Sequence, residues 1–279
     1  MSAAPLLDVA QLRVDFRTPR GRVEAVRGVS LAMGREKLGI VGESGSGKSC
    51  TGRALLRLLP GNASVTAERM VFDGLDLLRA SSATLRDLRG RRLAMVMQDP
   101  KFSLNPVMTV GEQIAEAYRA HSRAGARQAR EKALSMLEAV RIREPPRVYD
   151  LYPHEVSGGM GQRVMIAMML APDPDLLIAD EPTSALDVTV QMQVLAILDD
   201  LVSVRGMGLI FISHDLTLVG SFCDRVLVMY GGRVMETLAA RDLASARHPY
   251  TRGLMACLPT VEGGEAELPV LKRDPAWLR

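Results

Sequence analysis

The sequence predicts an α/β fold: a mainly parallel sheet with helices between its strands, preceded by an antiparallel β region. Three observations carry that prediction. Short apolar runs at residues 38–41 (LGIV), 176–179 (LLIA) and 209–212 (LIFI) each lead into distinctive polar or glycine-rich sequence, as strands do when the chemistry lies at their C-terminal ends. Stretches with apolar residues at helical spacing separate them. The octapeptide GESGSGKS, residues 42–49, joins the first run to the first helical stretch, where a phosphate-cradling loop has to sit.

Taken in order, residues 12–16 (LRVDF) and 29–33 (VSLAM) alternate apolar and polar. Turn-rich breaks at residues 18–21 and at Gly34 bound them, which predicts antiparallel strands leading into the loop. Residues 48–59 predict a helix with Ala54, Leu55, Leu58 and Leu59 on one face. From Glu112 to Val140 the composition turns helical, with Leu134, Leu137 and Val140 in period, until Glu144-Pro145-Pro146 breaks it. A helix is expected from Gln162 to Leu170. The run at 176–179 ends in Asp180 and Glu181, and that at 209–212 in Ser213-His214-Asp215. A hairpin at 226–236 turning on Gly231-Gly232 closes the core. No internal repeat stands out.

At 279 residues the chain has material for a large domain or a core with a subdomain. Its net charge of +3, with arginines spread among acids, argues against a nucleic-acid partner, which a basic stripe would mark. No apolar run approaches the roughly 20 residues that span a bilayer. The N-terminus lacks the pattern of a signal peptide. Cys50, Cys223 and Cys257 show no metal-ligand spacing and read as reduced, packed thiols.

The chemistry concentrates in three motifs. In GESGSGKS the glycines Gly42, Gly45 and Gly47 let backbone N–H groups, with those of Ser44, Ser46 and Cys50, turn toward phosphate oxygens. Lys48 reaches the β- and γ-phosphates, and the Ser49 hydroxyl ligates Mg²⁺. The helix dipole adds positive charge beneath them. A buried strand ending in Asp180 and Glu181 is the natural partner of such a loop: Asp180 for the metal, Glu181 for the attacking water. Read alone, the pair is a solvated strand end. Between them VSGGMGQR, residues 156–163, opens a second helix N-terminus with a hydroxyl and bare amides, a second anion site. One triphosphate does not need two such sites in one subunit, so this one is expected to face the nucleotide of another subunit.

With these motifs in order, nearly the whole chain resembles the ATP-binding cassette ATPases. The resemblance implies a phosphate-loop NTPase (RecA-like) core with an antiparallel β subdomain and an inserted α-helical subdomain. The expected division is residues 1–98 and 171–240 for the core, 99–170 for the helical subdomain, and 241–279 for a C-terminal extension. Gln98 matches the glutamine at the core–helical junction, a nucleotide and Mg²⁺ contact. Ser157 and Gly159 match the signature that closes on the partner's ATP, and residues 184–187 (SALD), ending in Asp187, match the D-loop. His214 matches the switch histidine, which holds the γ-phosphate and the water with Glu181. Phe16 is placed to stack on adenine, and reads equally as an ordinary core phenylalanine.

Residues 151–170, 179–191 and the late RHPYTRGLMACLP look like the cassettes that power peptide importers, with nickel, opine and glutathione systems as alternatives. A non-transport ABC ATPase in DNA repair or translation is a further rival; it usually carries inserts absent here. Met160 stands where the common signature has glutamine, and Gly161 where that branch usually has arginine, a loss of charge that would weaken the half-site. The implied cofactors are ATP and Mg²⁺. The implied partners are a second, different cassette (a heterodimer), two transmembrane permease subunits and, indirectly, a substrate-binding protein, at the cytoplasmic face of the bacterial inner membrane. The cysteine-rich tail of some relatives has no counterpart, so no iron–sulphur cluster is expected.

Overall fold

The computed structural model describes residues 4–98, 103–184, 186–258, 271 and 273–278. Chain contacts divide it into two compact units, residues 1–80 with 210–279, and residues 81–209.

The first unit opens with the predicted antiparallel region. Strands β1 (Leu7–Thr18) and β2 (Gly21–Met33) pair along their lengths, and β4 (Ala63–Thr66) and β5 (Arg69–Phe72) take successive stretches of the other edge of β1. A two-residue strand β6 (Leu75–Asp76) pairs with β5. The alternation read from the sequence is the burial pattern as far as Val14, with Leu12 and Val14 fully buried and Arg13 exposed, but a register shift after Val14 breaks it, so that Asp15 is buried and Phe16 half-buried. Strand β3 (Lys37–Val41) is buried from Leu38 onward and runs parallel to β10 (Arg225–Tyr230), which forms the late hairpin with β11 (Arg233–Ala239). A strand buried in this way reads as a continuous apolar run rather than an alternation. Strand β9 (Gly208–Ser213) lies on the other side of β3.

Helix α1 (Lys48–Leu55) is shorter than the sequence predicts. Leu58 and Leu59 fall beyond it because Arg57 turns left-handed at φ 54°. The amide of Arg57 then returns to the Ala54 carbonyl and that of Leu58 to Arg53, both at 2.9 Å. That is a Schellman stop built on arginine in place of the usual glycine.

In the second unit β7 (Leu93–Val96) and β8 (Leu176–Asp180) are parallel and fully buried. The helical stretch predicted from Glu112 to Val140 is two helices, after α2 (Ser82–Leu88): α3 (Val110–Arg119) and α4 (Ala126–Ala139). A capping box starts α3 earlier than expected, the Glu112 amide meeting Thr109 Oγ1 at 3.3 Å while Glu112 Oε2 accepts from the Thr109 amide at 3.1 Å. Between the two helices Ser122 Oγ donates back to the Tyr118 carbonyl at 2.9 Å, and Gly125 is the N-cap of α4. The prolines do not end α4. Arg141, at φ 55°, ends it through a second Schellman stop, and Pro145-Pro146 instead open a short helix α5 (Pro145–Tyr149). Proline suits a first turn, where no amide bond is lost. Helix α6 (Gly158–Leu170) begins four residues before the expected Gln162, since Ser157 caps it. It is followed, after β8, by α7 (Val188–Arg205), which ends on Gly206. Two further helices, α8 (Leu216–Phe222) and α9 (Pro249–Ala256), belong to the first unit.

Candidate functional site: a phosphate loop and an acidic strand end

The loop at residues 42–49 has the conformation its glycines suggest. Gly42 and Gly47 take φ of 152° and 99°. A Cβ on Gly42 would lie 2.1 Å from the Met229 carbonyl oxygen, and one on Gly47 would lie 2.5 Å from that of Ala25. Both positions are therefore closed to any side chain. Gly47 is the N-cap of α1 and brings no capping side chain, and no acid occupies the first turn. Lys48 is buried, and its Nζ donates to the carbonyls of Gly42 (2.8 Å) and Glu43 (2.9 Å). Ser46 Oγ is buried without a hydrogen-bond partner among the described residues, a cost the fold carries unless a ligand oxygen meets it. Ser44 and Gly45 form the exposed crest, and Ser49 and Cys50 are half-buried. A buried ammonium, an uncapped helix start and an orphaned hydroxyl make a donor set that fits a triphosphate.

The loop is braced by residues for which sequence reasoning assigned no such role. Tyr250, wholly buried at the start of α9, accepts a hydrogen bond from the Glu43 amide at 3.2 Å. Arg273 closes on the Glu43 carboxylate with Nη2 at 2.8 Å and Nε at 3.4 Å. The amide of Gly232, in the β10–β11 turn, donates to the Ser46 carbonyl at 3.0 Å, and the Arg27 amide to that of Gly232 at 2.7 Å. Burial pushes the Tyr250 phenol up to about 12, so it stays neutral and able to accept. In the sequence, RHPYTRG served only as a mark of resemblance; nothing in its spacing points to a residue two hundred positions away.

The second unit carries the acids. Asp180 ends β8 and is buried. Glu181 follows in a left-handed conformation, φ 47°, an arrangement that costs energy in a non-glycine residue and is concentrated at functional positions. Gln98, eighty-three residues earlier in the chain, comes to it: Nε2 lies 3.4 Å from Glu181 Oε2. Ser184 holds the turn, its hydroxyl donating to the Glu181 carbonyl at 3.2 Å. Ser157 caps α6, its Oγ accepting from the Met160 amide at 3.3 Å. Asp187 caps α7 through the Val190 amide at 3.0 Å. These two caps adjoin, because a Cβ on Gly159 would meet Val190 Cγ1 at 2.6 Å. Gly161 is buried, and Arg163 brings its Nε to the Gly159 carbonyl at 3.2 Å. Ala185 of the expected D-loop lies outside the described residues, as do residues 99–102.

In the first unit His214 is exposed at the end of β9, just before Asp215 caps α8. Phe16 is half-buried in β1, opposite Val23 and Ala63. Among the described residues no cluster of three or more His, Cys, Asp or Glu side chains could cage a metal. A hydroxyl, a carboxylate and phosphate oxygens are, however, the set that Mg²⁺ takes with a nucleotide. No helix among the described residues is long and apolar enough to cross a membrane.

The family model described as ABC transporter matches residues 26–184, which hold the phosphate loop, Gln98, the Ser157 turn and the acidic strand end. The chain belongs to the ABC transporter family. It is 50% identical over 268 residues to a probable peptide ABC transporter ATP-binding protein of Sinorhizobium fredii, covering 95% of this chain and 80% of that one. It is 45% identical to an oligopeptide transport ATP-binding protein of Bacillus subtilis, covering 97% and 76%, and 44% identical to a dipeptide transport ATP-binding protein of the same organism, covering 97% and 82%. Among solved structures, the dimeric post-hydrolysis state of an ATP-binding cassette bound to ADP and phosphate aligns with a TM-score of 0.76 at 25% identity, over 84% of this chain and 99% of that one. The cassette fold expected from the motifs is thus the observed one, and the chain is an ABC ATPase.

Proposed function

We propose that this cassette is the ATP-hydrolysing subunit of a bacterial importer of di- and oligopeptides. The observation that carries the reading is the extent of the similarity: relatives named for peptide, oligopeptide and dipeptide transport match 95–97% of the chain.

In this reading the amides of the loop and Lys48 bind the β- and γ-phosphates of ATP, with Phe16 on the adenine. The Ser49 hydroxyl, the Asp180 carboxylate and the side-chain oxygen of Gln98 hold Mg²⁺, which neutralises charge developing on the phosphates. Gln98 is suited to this because its amide nitrogen is the atom directed at Glu181. Glu181 takes the proton of the attacking water, and His214 orients that water against the γ-phosphate. Ser157, the Gly159 amide and Asp187 act on the ATP of a second, different cassette. The γ-phosphate they contact is missing from ADP, so hydrolysis loosens the pair; differential affinity is what a ligand-driven change requires. Two membrane-spanning permeases and a substrate-binding protein complete the importer at the cytoplasmic face of the inner membrane.

Two experiments test this. Glu181→Gln in the assembled complex keeps ATP binding and lowers turnover by about 10²–10⁴-fold; wild-type turnover would overturn the base assignment. Affinity capture from membranes recovers two permeases and a second cassette, and uptake of a labelled dipeptide is lost when the gene is deleted. Uptake that survives deletion would overturn the cargo assignment.

A further inference from the structure

A cavity lies in the first unit, between β2, β11 and the C-terminal 3₁₀ turn (Pro275–Leu278), and no phosphate-loop residue lines it. Its volume is about 440 Å³, in the range of small-molecule sites and larger than an inorganic ion requires. Its charged and ring polar groups are donors, and the one lining hydroxyl, that of Ser30, accepts from the Gln11 amide at 3.0 Å. The Nε–H of Arg233 is buried and has no hydrogen-bond partner among the described residues. Arg27 meets Glu24 only through its Nε, at 3.7 Å from the carboxylate and 3.4 Å from the carbonyl. His248 accepts from the Tyr250 amide at Nδ1, 3.1 Å away, which leaves Nε2 as the nitrogen that carries a proton and offers another donor.

The acid on the cavity's own strand is already engaged: Glu236 accepts the backbone amides of Arg247 (2.8 Å) and His248 (3.2 Å). One wall is aromatic. Trp277 stands edge-on to Tyr230 and Tyr250, with ring centroids 5.9 and 5.7 Å apart, and 5.9 Å from His248. A guanidinium with a buried, unmet N–H is costly to keep. Charge-assisted bonds to an oxyanion are what a guanidinium fork recognises best.

We propose that this cavity binds a small organic anion, a carboxylate or phosphate monoester on a flat apolar body, with Arg233 and Arg27 on the charge and Trp277 against the body.

Trp277 is the only tryptophan in the chain, so its emission reports occupancy directly. The full chain is saturated with MgADP, filling the phosphate loop, and titrated with phenyl phosphate, benzoate and, as the neutral control, benzyl alcohol. At least one anion is expected to change the emission saturably, with a dissociation constant on the order of 1 mM or tighter. The two anion arms distinguish phosphate from carboxylate. Arg233→Gln is expected to weaken that binding about tenfold or more. Three results would overturn the proposal: no saturation with either anion by about 10 mM, equal binding of benzyl alcohol, or unchanged affinity in Arg233→Gln. Should Arg233→Gln fail to fold, Arg27→Gln on the facing strand carries the same test with the same outcomes.

Discussion

Replacing Tyr250 by phenylalanine removes one oxygen atom from the interior and leaves the ring in place. Tyr250 is fully buried, so no cavity opens and no apolar area is lost. What disappears is the acceptor for the Glu43 amide at 3.2 Å. Losing a neutral hydrogen bond while stranding a part-buried donor costs about 1 kcal/mol. Glu43 belongs to the loop proposed above to bind the phosphates of ATP, so this cost is expected to appear in nucleotide affinity as well as in stability. The expected results are an ATP dissociation constant raised by up to about fivefold and a melting temperature lowered by about 2–4 °C. Turnover at saturating ATP is expected to change little. Titration calorimetry and thermal unfolding of the same preparations measure both quantities. Tyr250→Ala, which also empties the space of the ring, should cost about 3–5 kcal/mol in stability. A Tyr250→Phe protein with wild-type ATP affinity would refute the idea that α9 braces the phosphate loop, whatever its melting temperature.

Further perturbations test other parts of the structure. An alanine at Gly39 would set its methyl 2.2 Å from Val219 Cγ1 and 3.2 Å from Cys223 Sγ, and chemical denaturation should register a loss of about 1–3 kcal/mol from overpacking. Burial pushes the Cys223 thiol from its ordinary 9.0 up to about 12 and the Tyr250 phenol from 10.0 up to about 12. Both groups are neutral in the fold, so their contribution is complete below pH 9 and is lost as pH rises toward 12; the melting temperature should fall across that window, and less steeply near its lower end in Cys223→Ala. Ser157→Arg places a bulky cation at the exposed cap of α6. In a complex with a second cassette it should abolish hydrolysis at the partner's phosphate loop and leave ATP binding at its own, as separate binding and turnover assays on mixed dimers would show.

Much of the architecture was legible because it is local. Alternation in the second half of β2 and in β1 as far as Val14, continuous burial in β3 and β8, and the Gly231-Gly232 turn are short-range patterns that backbone geometry imposes on any chain. The departures from the sequence expectation are also local, and each has a stereochemical cause. Helices α1 and α4 end on arginines in the left-handed conformation, a place where glycine is the usual signal. The Pro145-Pro146 pair opens a helix, although in the sequence two prolines signal a break. Helix α6 starts at a serine cap whose two following glycines hide it from any propensity scale.

The chemistry divides in the same way. GESGSGKS, the Asp180-Glu181 strand end and the Ser157 turn are contiguous motifs, so the sequence by itself determined that the chain handles a nucleoside triphosphate and belongs among the cassettes. A phosphate-cradling loop is built mainly from backbone N–H groups, so a run of glycines is enough to announce it. The contacts that hold those motifs in place are not contiguous. Gln98 reaches Glu181 across eighty-three residues, Tyr250 and Arg273 converge on Glu43 from the far end of the chain, and Arg27, His248 and Trp277 line one cavity with Arg233. Each depends on where strands and turns distant in the chain come together. Only the tertiary structure decided them, because a hydrogen bond is set by distance and angle in space, which residue spacing along the chain does not encode.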